Sequence, residues 1–272
     1  MKRIALALAA AVVLAPALAS AAVTVKGSDT MVILAQRWAE NYQKKNAGKK
    51  VQVTGGGSGV GLAALINGTT DIADASRKIK GDEIAKVRDR FNVLPAETSV
   101  AKDGVALYVN EANGVAQLTV AQLKAIYQGD VTNWKDVGGA DAPIVIYSRE
   151  NSSGTYVFFK EMVLKGEDFA ASAQTLPGTA AVVNAVSKEK NGIGYGGAAY
   201  AKGVKELKVV GQDGQAVSPS AESVKSGKYP LSRDLFMYTR GKPSGEAQAF
   251  IDFCLSAEGQ AIVTQVGYYP VK

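Results

Sequence analysis

The run "APIVIYSRENSSGTYVFFKEMVL", residues 142–164, decides how the rest of the chain is read. It opens on an apolar, β-branched stretch of strand length, passes through a polar turn, and ends in an apolar run that suits a helix. Within it "SRENSSGT", residues 148–155, holds Arg149, three serines, Gly154 and Thr155. Ser153, Gly154 and Thr155 stand where the helix begins, at the point where backbone N–H groups lack intrahelical partners and the macrodipole is positive. A serine in that place ordinarily caps the helix, and Ser152 or Ser153 satisfies that role. A cap gives no reason for Arg149. Helix-terminal amides together with one guanidinium are what a tetrahedral oxyanion requires.

The same unit of strand, small-residue turn and helix recurs along the chain. "VTVKG" (23–27) reads as a strand, and "DTMVILAQRWAENYQKK" (29–45) as a helix with Met31, Leu34, Ala35, Trp38 and Tyr42 on one face. "KVQVTGGG" (50–57) is a second strand, "SGVGLAALING" (58–68) a short helix stopped by Gly68, and "TDIADASR" (70–77) a third strand ending in a polar turn. "GDEIAKVRDRF" (81–91) reads as a mostly surface helix. A new unit begins with a strand at "TSVAKDGVALYVN" (98–110), and Thr119 with Gln122 forms a capping-box pattern in "LTVAQLKAIYQG". "YPLSRDLFMYTRG" (229–241) is a further strand, followed by closing helices.

This alternation predicts an α/β fold in which the donor-rich turns gather at the carboxyl ends of the strands. Three turns qualify: "GSDT" (27–30), "GGGSGVG" (55–61) and "SRENSSGT". "GVGLAA" (59–64) fits a loose dinucleotide fingerprint, but the next strand begins near Asp71, too soon for that motif, and no Gly-Lys-Ser or Gly-Lys-Thr occurs. No low-complexity linker or internal repeat divides the chain, which predicts two lobes joined by strands, with crossovers near residues 100–104 and 229–235.

Composition narrows the chemistry. With 272 residues, 47% hydrophobic, and 29 glycines, the chain has the material for one large or two medium folded domains. Residues 1–21 have the basic start, apolar run and small-residue end of a secretory signal peptide, with cleavage expected after Ala19 or Ala21. Neither position leaves a cysteine for a lipid anchor, so a protein free in solution is expected. The formal charge of +6 falls to +4 without Lys2 and Arg3. That is enough to attract small anions, while spread lysines and 7% aromatics give no support to a nucleic-acid groove. Cys254 stands alone and reads as a small buried hydrophobe. Histidine is absent, which removes the usual general base and most zinc sites, so no catalytic residue, metal or cofactor is expected.

"GSDTMVILAQRWAENY", "GGGSGVGLAALINGTTDIADASR", "LTVAQLKAIYQGDVTNWKDVGG", "SRENSSGTYVFF", "GIGYGGAAY" and "YPLSRDLFMY" occur in the order found in the periplasmic phosphate-binding proteins of bacterial phosphate ABC transporters, which the chain resembles over nearly its whole length. The resemblance implies the two-lobed type II periplasmic binding protein fold, an α/β architecture with two hinge crossovers and a ligand cleft. Lobe 1 would comprise 22–102 plus 232–272, and lobe 2 residues 103–231. It implies phosphate held by Ser28, Asp29, Thr30, Ser58 and Ser76 from one lobe and Arg149, Ser153, Gly154 and Thr155 from the other. A periplasmic, monomeric solute-binding protein that serves a membrane permease and is not an enzyme is expected. Sulfate, molybdate or tungstate is the alternative ligand. A phosphoester hydrolase with Ser153 or Thr155 as nucleophile is the alternative activity, although no base is identified for it.

Two departures from the family pattern bear on the site. The aspartate that family members place at the end of the third strand, as acceptor for protonated phosphate, is Ser76 here. Asp29 is then the candidate acceptor, with capping of its own helix as the equal alternative. The aspartate that steadies the arginine is replaced by Asn151, and Glu150 is expected to substitute for it in part. Arg77 is expected to be exposed and solvated.

Overall fold

Strand alternation and helical periodicity do produce the repeating unit, seen in a computed structural model that describes residues 22–271. The signal-peptide reading at 1–21 lies outside the described residues. The first units are β1 (Val23–Gly27), α1 (Val32–Lys45), β2 (Val51–Thr54), α2 (Ser58–Asn67), β3 (Ile72–Ala75) and α3 (Gly81–Phe91). β1 lies between β2 and β3 and is parallel to both. Parallel strands deliver their following turns to one edge of a sheet, so Ser28, Ser58 and Ser76 arrive together. α1 buries Leu34, Ala35, Trp38 and Tyr42 as its sequence spacing predicts, with Ala39 beside them, while the buried Met31 precedes the helix as its N-cap residue. α2 ends at Gly68 in the left-handed conformation, with φ at 75°, where a side chain would be strained.

The long β4 (Pro95–Val109) leads into β5 (Gln117–Thr119), α4 (Val120–Gln128), β6 (Val145–Arg149), α5 (Gly154–Met162), β7 (Gln174–Leu176) and α6 (Thr179–Lys188). There follow β8 (Gly192–Gly197), β9 (Lys205–Val210), β10 (Ala216–Val217), α7 (Ala221–Lys225), β11 (Ser232–Arg240), α8 (Gly245–Leu255) and α9 (Ala257–Val266). β6 runs parallel to both β7 and β8, so the turns after β6 and β7 also share an edge. Thr119 caps α4 by accepting from the Gln122 N–H at 3.0 Å, while the Gln122 side chain accepts from the Thr119 N–H at 2.9 Å.

β4 and β11 connect the two parallel systems. They pair antiparallel from Pro95 with Arg240 through Gly104 with Ser232, while the remainder of β4, from Val105 on, pairs with β8. Separate cores form on either side. One gathers Val105, Tyr127, Trp134, Phe159, Tyr195 and Leu231; the other gathers Val25, Trp38, Ala101, Leu235, Phe250 and Tyr268. Cys254 is packed in the second, as a small hydrophobe should be. No helix among the described residues is long and apolar enough to cross a membrane.

One buried carboxyl without a cationic partner among the described residues stands out against this packing. Asp74 in β3 is 2% exposed, and its Oδ1 has no hydrogen-bond partner among the described residues. Loss of solvent pushes its carboxyl well above the ordinary range. A raised folded-state pKa means that the folded protein holds the proton more tightly than the unfolded chain. Its contribution to stability is therefore complete below the unfolded pKa and is lost as pH rises through the folded one. Asp74→Asn removes this titration. In urea titrations the unfolding free energy of the variant should rise relative to that of the parent as pH goes from about 5 to about 8. Parallel profiles would show that Asp74 ionises in the folded protein as it does in the unfolded chain.

Candidate functional site

The turns delivered by the two parallel systems meet face to face between the cores. Ser28, Thr30, Ser58, Ser76, Arg149, Ser153 and Thr155 are all at most 2% exposed, far below the norm for polar side chains. Burial of this kind requires hydrogen bonds, and the hydroxyls supply them to one another. Ser28 donates to Ser76 Oγ at 2.9 Å, and Ser58 and Ser76 are 3.3 Å apart. The Ser76 N–H donates to Ser58 Oγ at 3.0 Å. Thr30 and Thr155 join through their hydroxyls at 2.9 Å although they are 125 residues apart.

Close approach of the two sides depends on glycine. A Cβ at Gly154 would fall 2.2 Å from Ser58 Oγ and 2.7 Å from Ser76 Oγ. The Gly59 N–H donates to the Ser152 carbonyl at 2.8 Å, a second bond across the divide. Ser153 is the N-cap of α5, its Oγ accepting from the Tyr156 N–H at 3.2 Å. That hydroxyl still has a proton to donate, so the capping role leaves a second contact open.

Arg149, at the end of β6, is 1% exposed and makes four hydrogen bonds, which leaves one of its five N–H groups, on Nη1, for a further acceptor. Its guanidinium donates to Thr179 Oγ1 at 2.9 Å, to Asp29 Oδ2 at 3.1 Å, and to Glu150 at 3.0 and 3.3 Å. Glu150 therefore does pair with the arginine, in place of an acidic residue at Asn151. Partial burial pushes the Glu150 carboxyl up, and the Arg149 hydrogen bond and charge overcome this, leaving it below its ordinary value. Asp29 does not take the N-cap position of α1, which Met31 occupies, and both its carboxylate oxygens bond elsewhere. Its Oδ1 accepts from the Gly56 N–H at 2.8 Å while Oδ2 takes Arg149, so it ties the glycine-rich turn to the opposite side.

Arg77 departs from expectation. It is 8% exposed, and it grips Glu83 with two bonds of 2.8 and 2.7 Å. Glu83 lies in the first turn of α3, where a carboxylate is favoured, and its position beside the Ser76 turn draws Arg77 out of solvent. Thr179 was not found from sequence. It opens α6 after Gly178, whose φ is 74°, in the same glycine, threonine, helix pattern as the other turns, but the preceding β7 is only three residues long and gave no strand signal. Two tyrosines that hold the first turn from outside were also missed. Tyr200 donates to the Asp29 carbonyl and Tyr268 to the Thr30 carbonyl, both at 2.7 Å. Burial, with Asp29 nearby, pushes Tyr200 up to about 12.

A surface cavity of about 680 Å³ lies elsewhere, between Val120, Met162 and Leu231, and contains none of these residues. No cluster of three or more His, Cys, Asp or Glu suited to a metal occurs among the described residues. The site offers hydroxyls, helix-terminal N–H groups and one guanidinium, a donor set for an oxyanion.

Comparison with known proteins agrees with this chemistry. The PBP superfamily domain profile matches residues 14–258. The phosphate-binding protein PstS of Pseudomonas aeruginosa is 34% identical over 264 residues, covering 90% of this chain and 81% of the relative. PstS of Staphylococcus epidermidis is 36% identical over 246 residues, covering 87% and 75%. Among solved structures, a phosphate ABC transporter substrate-binding protein of Clostridium perfringens with bound phosphate superposes with a TM-score of 0.84 at 34% identity, covering 93% of this chain and 100% of its own.

The Gly154 contact generates a direct test. In Gly154→Ala the added methyl cannot share space with Ser58 and Ser76, so the two sides must separate. Hydrogen exchange at the Gly59 amide should accelerate by about tenfold or more, with the two cores still protected. Unchanged exchange would show that the contact adjusts without opening.

Proposed function

Since the chain belongs to the PBP superfamily and, within it, to the PstS phosphate-binding proteins, we propose that it captures inorganic phosphate between two lobes and delivers it to the permease of an ABC transporter. The observation that carries this reading is the buried hydroxyl and guanidinium cluster, built from both cores at the start of three helices. Phosphate would be held by Ser28, Asp29, Thr30, Ser58 and Ser76 on one side and Arg149, Ser153, Gly154 and Thr155 on the other. The lobes are taken as 22–102 plus 232–272 and 103–231, a division supported by the two cores and by the strands that cross between them. Opening and closing about β4 and β11 would exchange the water shell of the anion for these donors.

The protein is proposed to act outside the cytoplasm as a monomer, after loss of residues 1–21, and to bind without turnover. The absence of histidine from the sequence and the use of Ser153 as a helix cap support binding over hydrolysis, because neither serine nor threonine has a base to activate it.

Selectivity follows from charge. Asp29 and Glu150 both face Arg149, so these side chains together carry one excess negative charge. An anion that brings a proton relieves the repulsion; one that is fully ionised does not. Phosphate near neutral pH carries at least one proton and sulfate carries none. Each oxygen of Asp29 has accepted one bond and has capacity for another, so it remains the proposed acceptor of the phosphate proton.

Titration calorimetry of the purified protein with phosphate, sulfate and molybdate tests the ligand, and should show one phosphate site. Arg149→Lys should weaken it by at least tenfold, about 1.4 kcal/mol, because an ammonium cannot serve Thr179, Asp29 and the anion in one plane. Parental affinity in the lysine variant would remove Arg149 from the site.

Asp29→Asn separates charge from shape. It should bind phosphate more weakly and admit sulfate, narrowing a preference that buried unpaired groups can raise to about four or five orders of magnitude. Competition between the two anions measures it. A variant that rejects sulfate as the parent does would assign proton reading to another group.

A further inference from the structure

Arg233 is the second residue of β11 and pairs in register with Asp103 of β4, which places both on the strands that cross between the cores. Its Nε and Nη2 donate to Asp103 Oδ2 at 2.9 and 2.7 Å. Its Nη1 donates to the carbonyl of Ser76 at 3.0 Å. The guanidinium carbon lies over the ring of Phe158, 5.3 Å from its centre, in α5 on the opposite side. Both charged side chains are at most 3% exposed.

We propose that Arg233 is a positioning residue for the phosphate site, fixing the Ser76 turn to the crossing strands and registering lobe closure through its contact with Phe158. The inference rests on the phosphate reading given above. Ser76 is held at every polar atom: its N–H and Oγ meet Ser58 and Ser28, and among the described residues Arg233 alone holds its carbonyl. Without that bond the Ser76 backbone, which carries the hydroxyl packed against Gly154, loses its tie to the crossing strands. A planar guanidinium reaches Asp103 and Ser76 at once along two edges and leaves its face for an aromatic ring. A lysine has one ammonium and no face. Phe158 follows the Ser153–Thr155 turn on the same helix, so the stacking distance depends on how far the two sides have closed.

A staple that only stabilises the hinge would alter melting and leave binding alone, so the test reads binding. Asp103 would be left buried and unpaired in a neutral variant, which makes Arg233→Lys and Phe158→Leu the informative substitutions. In stopped-flow titration with inorganic phosphate, Arg233→Lys should raise Kd by about tenfold, and Phe158→Leu should raise the dissociation rate roughly threefold with the association rate unchanged. In the absence of phosphate, hydrogen exchange over residues 74–78 should quicken in Arg233→Lys. If that variant does not fold, the Phe158→Leu rates decide. Parental Kd and dissociation rate, with only melting changed, would overturn the proposal. If the parent itself binds no phosphate, the functional reading fails, and exchange at 74–78 still decides whether Arg233 positions the Ser76 turn.

Discussion

A buried guanidinium needs anionic partners, and Arg149 finds one on each side of the molecule. Asp29 lies 120 residues earlier in the chain and Glu150 is its immediate neighbour. An uncompensated charge at 1% exposure would cost several kcal/mol; Glu150 supplies one partner locally, and the bond to Asp29 favours approach of the two cores. The hydroxyl contacts follow from that approach. Thr30 and Thr155 touch, Gly154 slides against Ser58 and Ser76, and Gly59 reaches Ser152 only because the strands carrying them are drawn to the same place.

Parallel pairing makes this economical. Each βαβ unit returns its turn to the same sheet edge, so one topological rule places Ser28, Ser58 and Ser76 together and another places Arg149 beside Thr179. Antiparallel pairing of β4 with β11 then aims the two edges at each other. The same two strands carry Asp103 and Arg233, so the crossing strands are bonded directly to the Ser76 turn.

What sequence revealed was what short range decides. The buried stripe of α1, the Thr119 and Gln122 box, and the left-handed Gly68 are set by neighbours three or four positions away. The donor turns were legible as compositions. Their wiring was not. Asp29 read equally as a cap or an acceptor, because its partners Gly56 and Arg149 are brought to it by the sheet. Arg77 read as solvated because nothing in its own strand shows that Glu83 swings back to meet it. Thr179 escaped because β7 is too short to announce the helix that follows.

The hydroxyl pairs hold a property that the guanidinium and the backbone amides lack. An amide N–H points where its peptide plane points, whereas a hydroxyl proton rotates about its C–O bond while every heavy atom stays in place. In the Thr30 and Thr155 pair, and in the Ser58 and Ser76 pair, either oxygen can be the donor. The cluster is thus a frame of fixed polarity fitted with reversible elements. Its shape is settled by packing, and its pattern of donors and acceptors can be reset by rotating a few protons, without a change of rotamer or a shift of backbone.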